Sequence, residues 1–226
     1  MKKGAAINSF KVLVLALVAC FASIALYGFS ARAADALPAI AYQKFGVSYV
    51  SSSLVRVDFI TGNGDVKGEV QLCNSGKKVM QVKTAPQSAF FSCKINDNSV
   101  YYYRVRPFYV DSTGAQIYGP WTKYKAFSTI VLKLKKSSGR SFKVKCPKLP
   151  KVVKTVNLMM STANKTGFKK VASVKPGKKS KKIKKFKGKK FASSKTYYLK
   201  AAPVLKDGVF CENAYINNFY WTRVYR

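Results

Sequence analysis

Between residues 169 and 190 the chain reads KKVASVKPGKKSKKIKKFKGKK, with twelve lysines and no acid. Lysine is a hydrated point charge without arginine's planar fork. A run of it favours diffuse attraction to a polyanion over recognition of single phosphates. The residues expected to carry that attraction are Lys169, Lys170, Lys175, Lys178, Lys179, Lys181, Lys182, Lys184, Lys185, Lys187, Lys189 and Lys190. The competing reading is a solvated surface, because lysines guard edge strands and net charge keeps a chain soluble. A few lysines would do that work. Twelve without an interspersed acid repel one another at a cost to the fold, which points to a polyanionic partner.

Other reactive side chains are sparse. The chain has no histidine, which removes Ser-His-Asp, Cys-His and HExxH chemistry. Its 8 Asp+Glu stand against 42 Lys+Arg. They scatter as Asp58, Asp65, Glu69, Asp111 and Asp207 over one strand and several turns, and not as the carboxylate pair of a glycosidase. Gly62-Asn63-Gly64-Asp65 is no EF-hand loop. No CxxC spacing exists, so the cysteines are not read as redox-active. The expectation is a non-enzyme with no cofactor and no metal site.

The N-terminus reads as an export signal. Residues 1–11 hold three lysines, Val12–Phe29 are uncharged, and Ala31-Arg32-Ala33 supplies a small-x-small cleavage site. Residues 1–33 are therefore expected to be a signal peptide. An uncleaved anchor is the alternative, since 18 apolar residues can just span a bilayer. Leu17-Val18-Ala19-Cys20 also fits a lipobox, with Cys20 the lipidated residue, but FASIALYGF follows where a polar tether is usual. Beyond the signal remain Cys73, Cys93, Cys146 and Cys211. An even count in an exported chain reads as two disulfides, with three connectivities open.

The 226 residues carry a formal charge of +34, yet 48% are hydrophobic and 14% aromatic. That apolar content is too high for a disordered basic tail. The charge is uneven: residues 35–129 hold 11 basic and 6 acidic side chains, residues 130–226 hold 27 and 2. The chain also repeats. VYYYRVRPF at 100–108 matches TYYLKAAPV at 196–204, an offset of 96 that sets Phe90 against Phe186 and Ile95 against Phe191. Trp121-Thr122-Lys123 matches Trp221-Thr222-Arg223, and Val70 and Leu72 match Val156 and Leu158. Val55, Val57 and Phe59 alternate along one face of a strand, as do Phe142, Val144 and Cys146. Units of about 95 residues with some seven short strands indicate all-β architecture, two small β-sandwiches in tandem.

Ile95-Asn96-Asp97-Asn98-Ser99-Val100-Tyr101-Tyr102-Tyr103-Arg104-Val105-Arg106 resembles the E–F corner and strand F of a fibronectin type III domain. Gly119-Pro120-Trp121-Thr122 resembles the start of that family's strand G. Phe168-Lys169-Lys170-Val171 resembles strand C′ of Lys-rich versions on bacterial surface proteins. The resemblance implies two such domains, 38–129 and a Lys-rich 130–226. Cys146 stands where the family usually has a strand B tryptophan. The resemblance also implies bridges Cys73–Cys93 and Cys146–Cys211, each pair meeting at one pole of its own sandwich. Together these readings give a secreted or cell-surface binding module, monomeric, whose second domain holds an acidic envelope or matrix polymer: teichoic acid, acidic polysaccharide or an anionic lipid surface. Nucleic acid is a weaker partner, because the phenylalanines among the lysines match core positions and leave no stacking platform. Two alternatives stand beside this: a structural spacer whose lysines only solubilise, and a lipoprotein held through Cys20.

Overall fold

The computed structural model describes residues 37, 40–41, 44–62, 66–137, 141–163, 166–192, 196–213 and 221–222. The signal segment and Cys20 lie outside them. No helix of the described residues is long and apolar enough to cross a membrane. The described elements are strands. The first half contributes β1 (Phe45–Val50), β2 (Leu54–Phe59), β3 (Lys67–Cys73), β4 (Val79–Ala85), β5 (Ser88–Ser92), β6 (Val100–Val110), β7 (Gln116–Tyr118) and β8 (Lys125–Ser128). The second contributes β9 (Lys133–Ser137), β10 (Ser141–Lys145), β11 (Val153–Ser161), β12 (Lys169–Val174), β13 (Ser180–Ile183), β14 (Lys185–Phe186), β15 (Lys189–Lys190), β16 (Tyr197–Leu205), β17 (Cys211–Asn213) and β18 (Trp221–Thr222).

Each half sets a three-stranded sheet against a larger one. The pairs are β1-β2-β5 with the sheet built on β8-β6-β3-β4, and β13-β10-β9 with β12-β11-β16-β18. Alternation explains the packing. Val55, Val57 and Phe59 all point into the first core, where they meet Val70, Leu72, Phe91 and Tyr103. Phe142 and Val144 do the same in the second core, against Val156, Leu158 and Ile183. A fully buried side chain of this size stabilises by roughly 1.5–3 kcal/mol, so these two rows define which face of each sheet is inside.

One hydrogen bond occurs twice at the repeat's own offset. The Tyr101 hydroxyl accepts from Asn96 N at 2.8 Å, and the Tyr197 hydroxyl accepts from Ala192 N at 3.1 Å. A tyrosine that begins a long strand and ties back to the preceding corner is a hallmark of immunoglobulin-like sandwiches. The fold is all-β and of that kind.

Two sequence expectations are corrected. Phe90 is 51% exposed, with the Arg56 guanidinium 5.4 Å over its ring, while Phe91 is the buried neighbour. Phe186 is nevertheless buried, but on a hairpin, β14–β15, that follows the strand equivalent to β5. The extra residues lie after β13 as well as before it, so an ungapped alignment through Phe90 sets unlike positions together. The second correction concerns sulfur. Cys73, Cys93, Cys146 and Cys211 are all free thiols, and neither implied bridge is present. Cys73 faces the second core, beside Tyr102, whereas Cys93 packs against the first, so a sheet separates them. Cys211 opens β17, which pairs with β8 of the first half, in register with Ala126.

The two halves are joined by more than the chain. β17 adds to the first half's sheet in parallel, and Phe210 O accepts from Ala126 N at 3.0 Å. Val100, Tyr102 and Cys73, on the outer face of that sheet, are covered by the second core.

Candidate polyanion-binding surface

The lysine run folds around apolar anchors. In K-K-I-K-K-F-K-G-K-K-F the buried residues are Ile183, Phe186 and Phe191. Their burial holds the lysines between them outward. Phe191 packs edge-on against Phe142 at 4.6 Å and Tyr197 at 4.9 Å, and Phe186 meets Tyr197 at 5.9 Å. Two tight turns shape the run. Lys178 N donates to Lys175 O at 3.2 Å, with Gly177 at φ 83°. Lys187 (φ 51°) and Gly188 (φ 76°) are the two central residues of the β14–β15 hairpin, both in the left-handed region. Two positive φ values in sequence are what a two-residue hairpin of matching twist requires.

All twelve lysines singled out from the sequence are exposed: two on β12, three around the first turn, and seven on and between β13, β14 and β15. Their strands belong to three sheets: β12 to the larger, β13 to the smaller, and β14–β15 to a two-stranded hairpin. Their charge is uncompensated. The ion pairs among the described residues are Arg56–Asp58, Lys77–Asp207 and Arg106–Glu69, and each takes its cation from the first half. Residues 130–226 hold only two acidic side chains, Asp207 and Glu212. Both are committed at the junction. Asp207 accepts from the Tyr102 hydroxyl at 3.0 Å and pairs with Lys77 at 2.9 Å. Burial alone would raise its carboxyl, but hydrogen bonds from Lys77, Val209 N and Tyr102 hold it below its usual range. Glu212 is raised by burial, against the pull of the Lys125 charge. Lys125, itself shifted down by burial, donates to Phe45 O and lies 4.5 Å over the Phe45 ring.

The first half treats its cations differently, in a way the sequence did not reveal. Along the outer face of its larger sheet, rings and cations alternate. Lys77 lies between Tyr102 (4.9 Å) and Tyr124 (5.3 Å). Arg104 lies between Tyr124 (4.9 Å) and Trp121 (4.4 Å), and Arg106 between Trp121 (4.6 Å) and Tyr118 (3.8 Å). The period-2 spacing of Arg104 and Arg106 was the available signal. Trp121 therefore serves as a stacking surface for the protein's own guanidinium groups.

Among the described residues no group of three His, Cys, Asp or Glu is placed to hold a metal. A groove at the junction is lined by Trp121, Tyr124, Phe210 and Asp207 among others. Its carboxylate is already bonded, as above. Burial raises all four thiols, Cys211 to about 12, which keeps them protonated and poor nucleophiles.

No known family profile matches the chain, and no curated protein matches it. Solved structures do resemble it, tandem fibronectin type III segments among them. The FN1-FN3 domains of chicken CNTN1 share 14% identity over 78% of this chain, with a TM-score of 0.32. A two-domain segment of chicken tenascin shares 12% over 71%, at 0.28, and covers 89% of that segment. The central fibronectin-III array of RIM-binding protein shares 11% over 75%, at 0.29. The chain spans 62% of the first and 59% of the third.

Proposed function

We propose that this chain is a secreted, non-enzymatic binding module, and that its second half holds acidic envelope or matrix polymers by electrostatic attraction. Teichoic acid, acidic polysaccharide and anionic lipid surfaces are the partner class. The observation that carries the reading is the twelve exposed lysines on anchored elements, with both acids of the same half committed elsewhere. Charge left uncompensated on a well-packed scaffold costs self-repulsion that solubility alone does not require.

The test is retention on an immobilised anionic polymer as salt rises. Counterion release predicts a linear fall of log K with log salt, about 0.7 per contact for a flexible single chain. Replacing Lys178, Lys179, Lys181, Lys182, Lys184 and Lys185 by Gln should lower that slope by up to about 4. Stability should change by no more than about 0.5 kcal/mol per exposed substitution. The spacer reading draws on the β17–β8 junction, which stiffens the pair. Wild-type retention that ignores salt would favour it.

A further inference from the structure

The lysine run is not the whole cationic surface. Strand pairing brings lysines from distant parts of the sequence into rows on the β13-β10-β9 sheet. Lys143 of β10 stands directly opposite Lys182 of β13 on one side and opposite Lys135 of β9 on the other. Lys145 stands opposite Lys133. Three adjacent strands thus carry lysine at one register position, with a second pair two residues along. Neighbouring strands are about 4.8 Å apart and alternate residues about 6.8 Å apart. Like charges directly opposite destabilise a sheet.

Edge protection does not explain this arrangement. β10 is the central strand of the three, and lysines that deter edge pairing belong on edge strands. Lys133, Lys143 and Lys182 are exposed, whereas Phe142, Val144 and Ile183 of the same strands are buried in the second core. Neither acid of this half lies on the sheet, since Asp207 and Glu212 belong to the junction.

We infer that the outer face of this sheet is a contact track for a linear chain of anionic ester groups, phosphodiester or sulfate, spaced roughly 5–7 Å apart to match the lattice. The inference rests on the polyanion reading above and adds residues outside the lysine run, together with a ligand shape. Linearity follows from continuity: the row crosses from β9 through Lys143 to Lys182, and Lys184 and Lys185 follow at once in the hairpin. Among the described residues, the large hydrophobic side chains exposed in the second half are Val204 and Phe210, neither of them on this sheet. Among its described side chains the face presents nothing to insert into a bilayer and no ring on which a base would stack. Its chemistry is charge alone.

The experiment compares the full chain with Lys133→Gln/Lys143→Gln, which leaves the 169–190 run intact, and with Lys154→Gln/Lys206→Gln. The latter removes two exposed charges away from the sheet. Probes are poly(glycerol phosphate), heparin and phosphatidylglycerol vesicles. The face variant should lower the salt slope for a polymer by about 1.4, roughly a tenfold loss at 0.15 M salt. The control should stay within about twofold, because its charges lie off the track and are screened from the polymer. The face variant should also melt no lower than wild type, because it relieves like-charge opposition. Preference between poly(glycerol phosphate) and heparin separates phosphodiester from sulfate sources. Equal losses in the two variants, or a loss confined to vesicles, would overturn the track. If wild type binds and only the 178–185 variant is weakened, this inference falls while the proposed function stands. If wild type binds none of the probes, both fall.

Discussion

Five cations of the first half are held against rings or carboxylates, whereas the lysine run of the second half is left to solvent. Arg56, Arg104, Arg106, Lys77 and Lys125 each meet a ring, and Arg56, Arg106 and Lys77 also meet a carboxylate. In the second half, cation–ring contacts among the described residues are Lys187 over Phe186 and Lys200 over Phe168. The two halves share a fold and a repeated tyrosine hydrogen bond, so architecture does not force the difference. Composition does. Each half holds three arginines, but the second holds 24 lysines to the first half's eight; arginine's planar group stacks and forks, whereas the added lysines stay hydrated. A charge built into packing and a charge displayed for a partner are thereby distinguishable on one scaffold.

The largest effect expected of a test lies in the buried anchors that hold the display. Phe186→Ala should cost about 3 kcal/mol or more, as for other buried phenylalanines. Phe90→Ala, at 51% exposure, should cost well under half as much. Denaturant midpoints of the two variants measure it. Equal costs would mean that the alignment of the two positions describes their environments after all.

That pair also shows where the sequence stopped being legible. Period-2 faces were readable because a strand's inside is set locally: Val55, Val57 and Phe59 needed no partner to be placed. Phe186 was placed inside for a reason that does not hold, because it sits on a short hairpin that follows the strand equivalent to that of Phe90. The thiols failed similarly. Their count suggested bridges, but which side of β3 Cys73 faces depends on the second half covering that sheet. The lysines of β9 and β10 were invisible as a group, since they are isolated in sequence and only register unites them. Long-range pairing is the information that local pattern lacks.

A smaller effect tests the first half's side of the comparison. Arg106 pairs with Glu69 at 2.9 Å, where the side chains are 25% and 12% exposed. Arg106→Gln leaves a nearly buried carboxylate without its cation and removes the ring contacts to Tyr118 and Trp121. A loss of about 2 kcal/mol is expected, below the 3–5 of a fully buried pair because some exposure remains. Any single lysine of the 178–185 set changed to Gln should move stability by no more than about 0.5 kcal/mol. Should Arg106→Gln prove equally mild in chemical denaturation, the claim that the first half's cations are structural is wrong.

The smallest effect lies where the two halves meet. Asp207 belongs to the second half but neutralises Lys77 of the first. Its folded-state pKa is below the ordinary 3.8, because the Lys77, Val209 N and Tyr102 hydrogen bonds outweigh its burial. A carboxyl depressed on folding contributes stability above its unfolded pKa, and that contribution is lost as pH falls through the folded value. The pair is partly exposed, so screening limits the effect to under about 1 kcal/mol. Asp207→Asn removes the charge and keeps one accepting oxygen for Val209 N, while its amide nitrogen replaces the Oδ2 that accepts from Tyr102 and pairs with Lys77. Wild type should therefore exceed this variant in stability at neutral pH, and the gap should close below about pH 4. Urea titrations at pH 7 and pH 3 measure it. A gap that persists unchanged at pH 3 would mean that Asp207 acts at the junction through hydrogen bonding alone, and that its charge does not help to dock the lysine-rich half against the first.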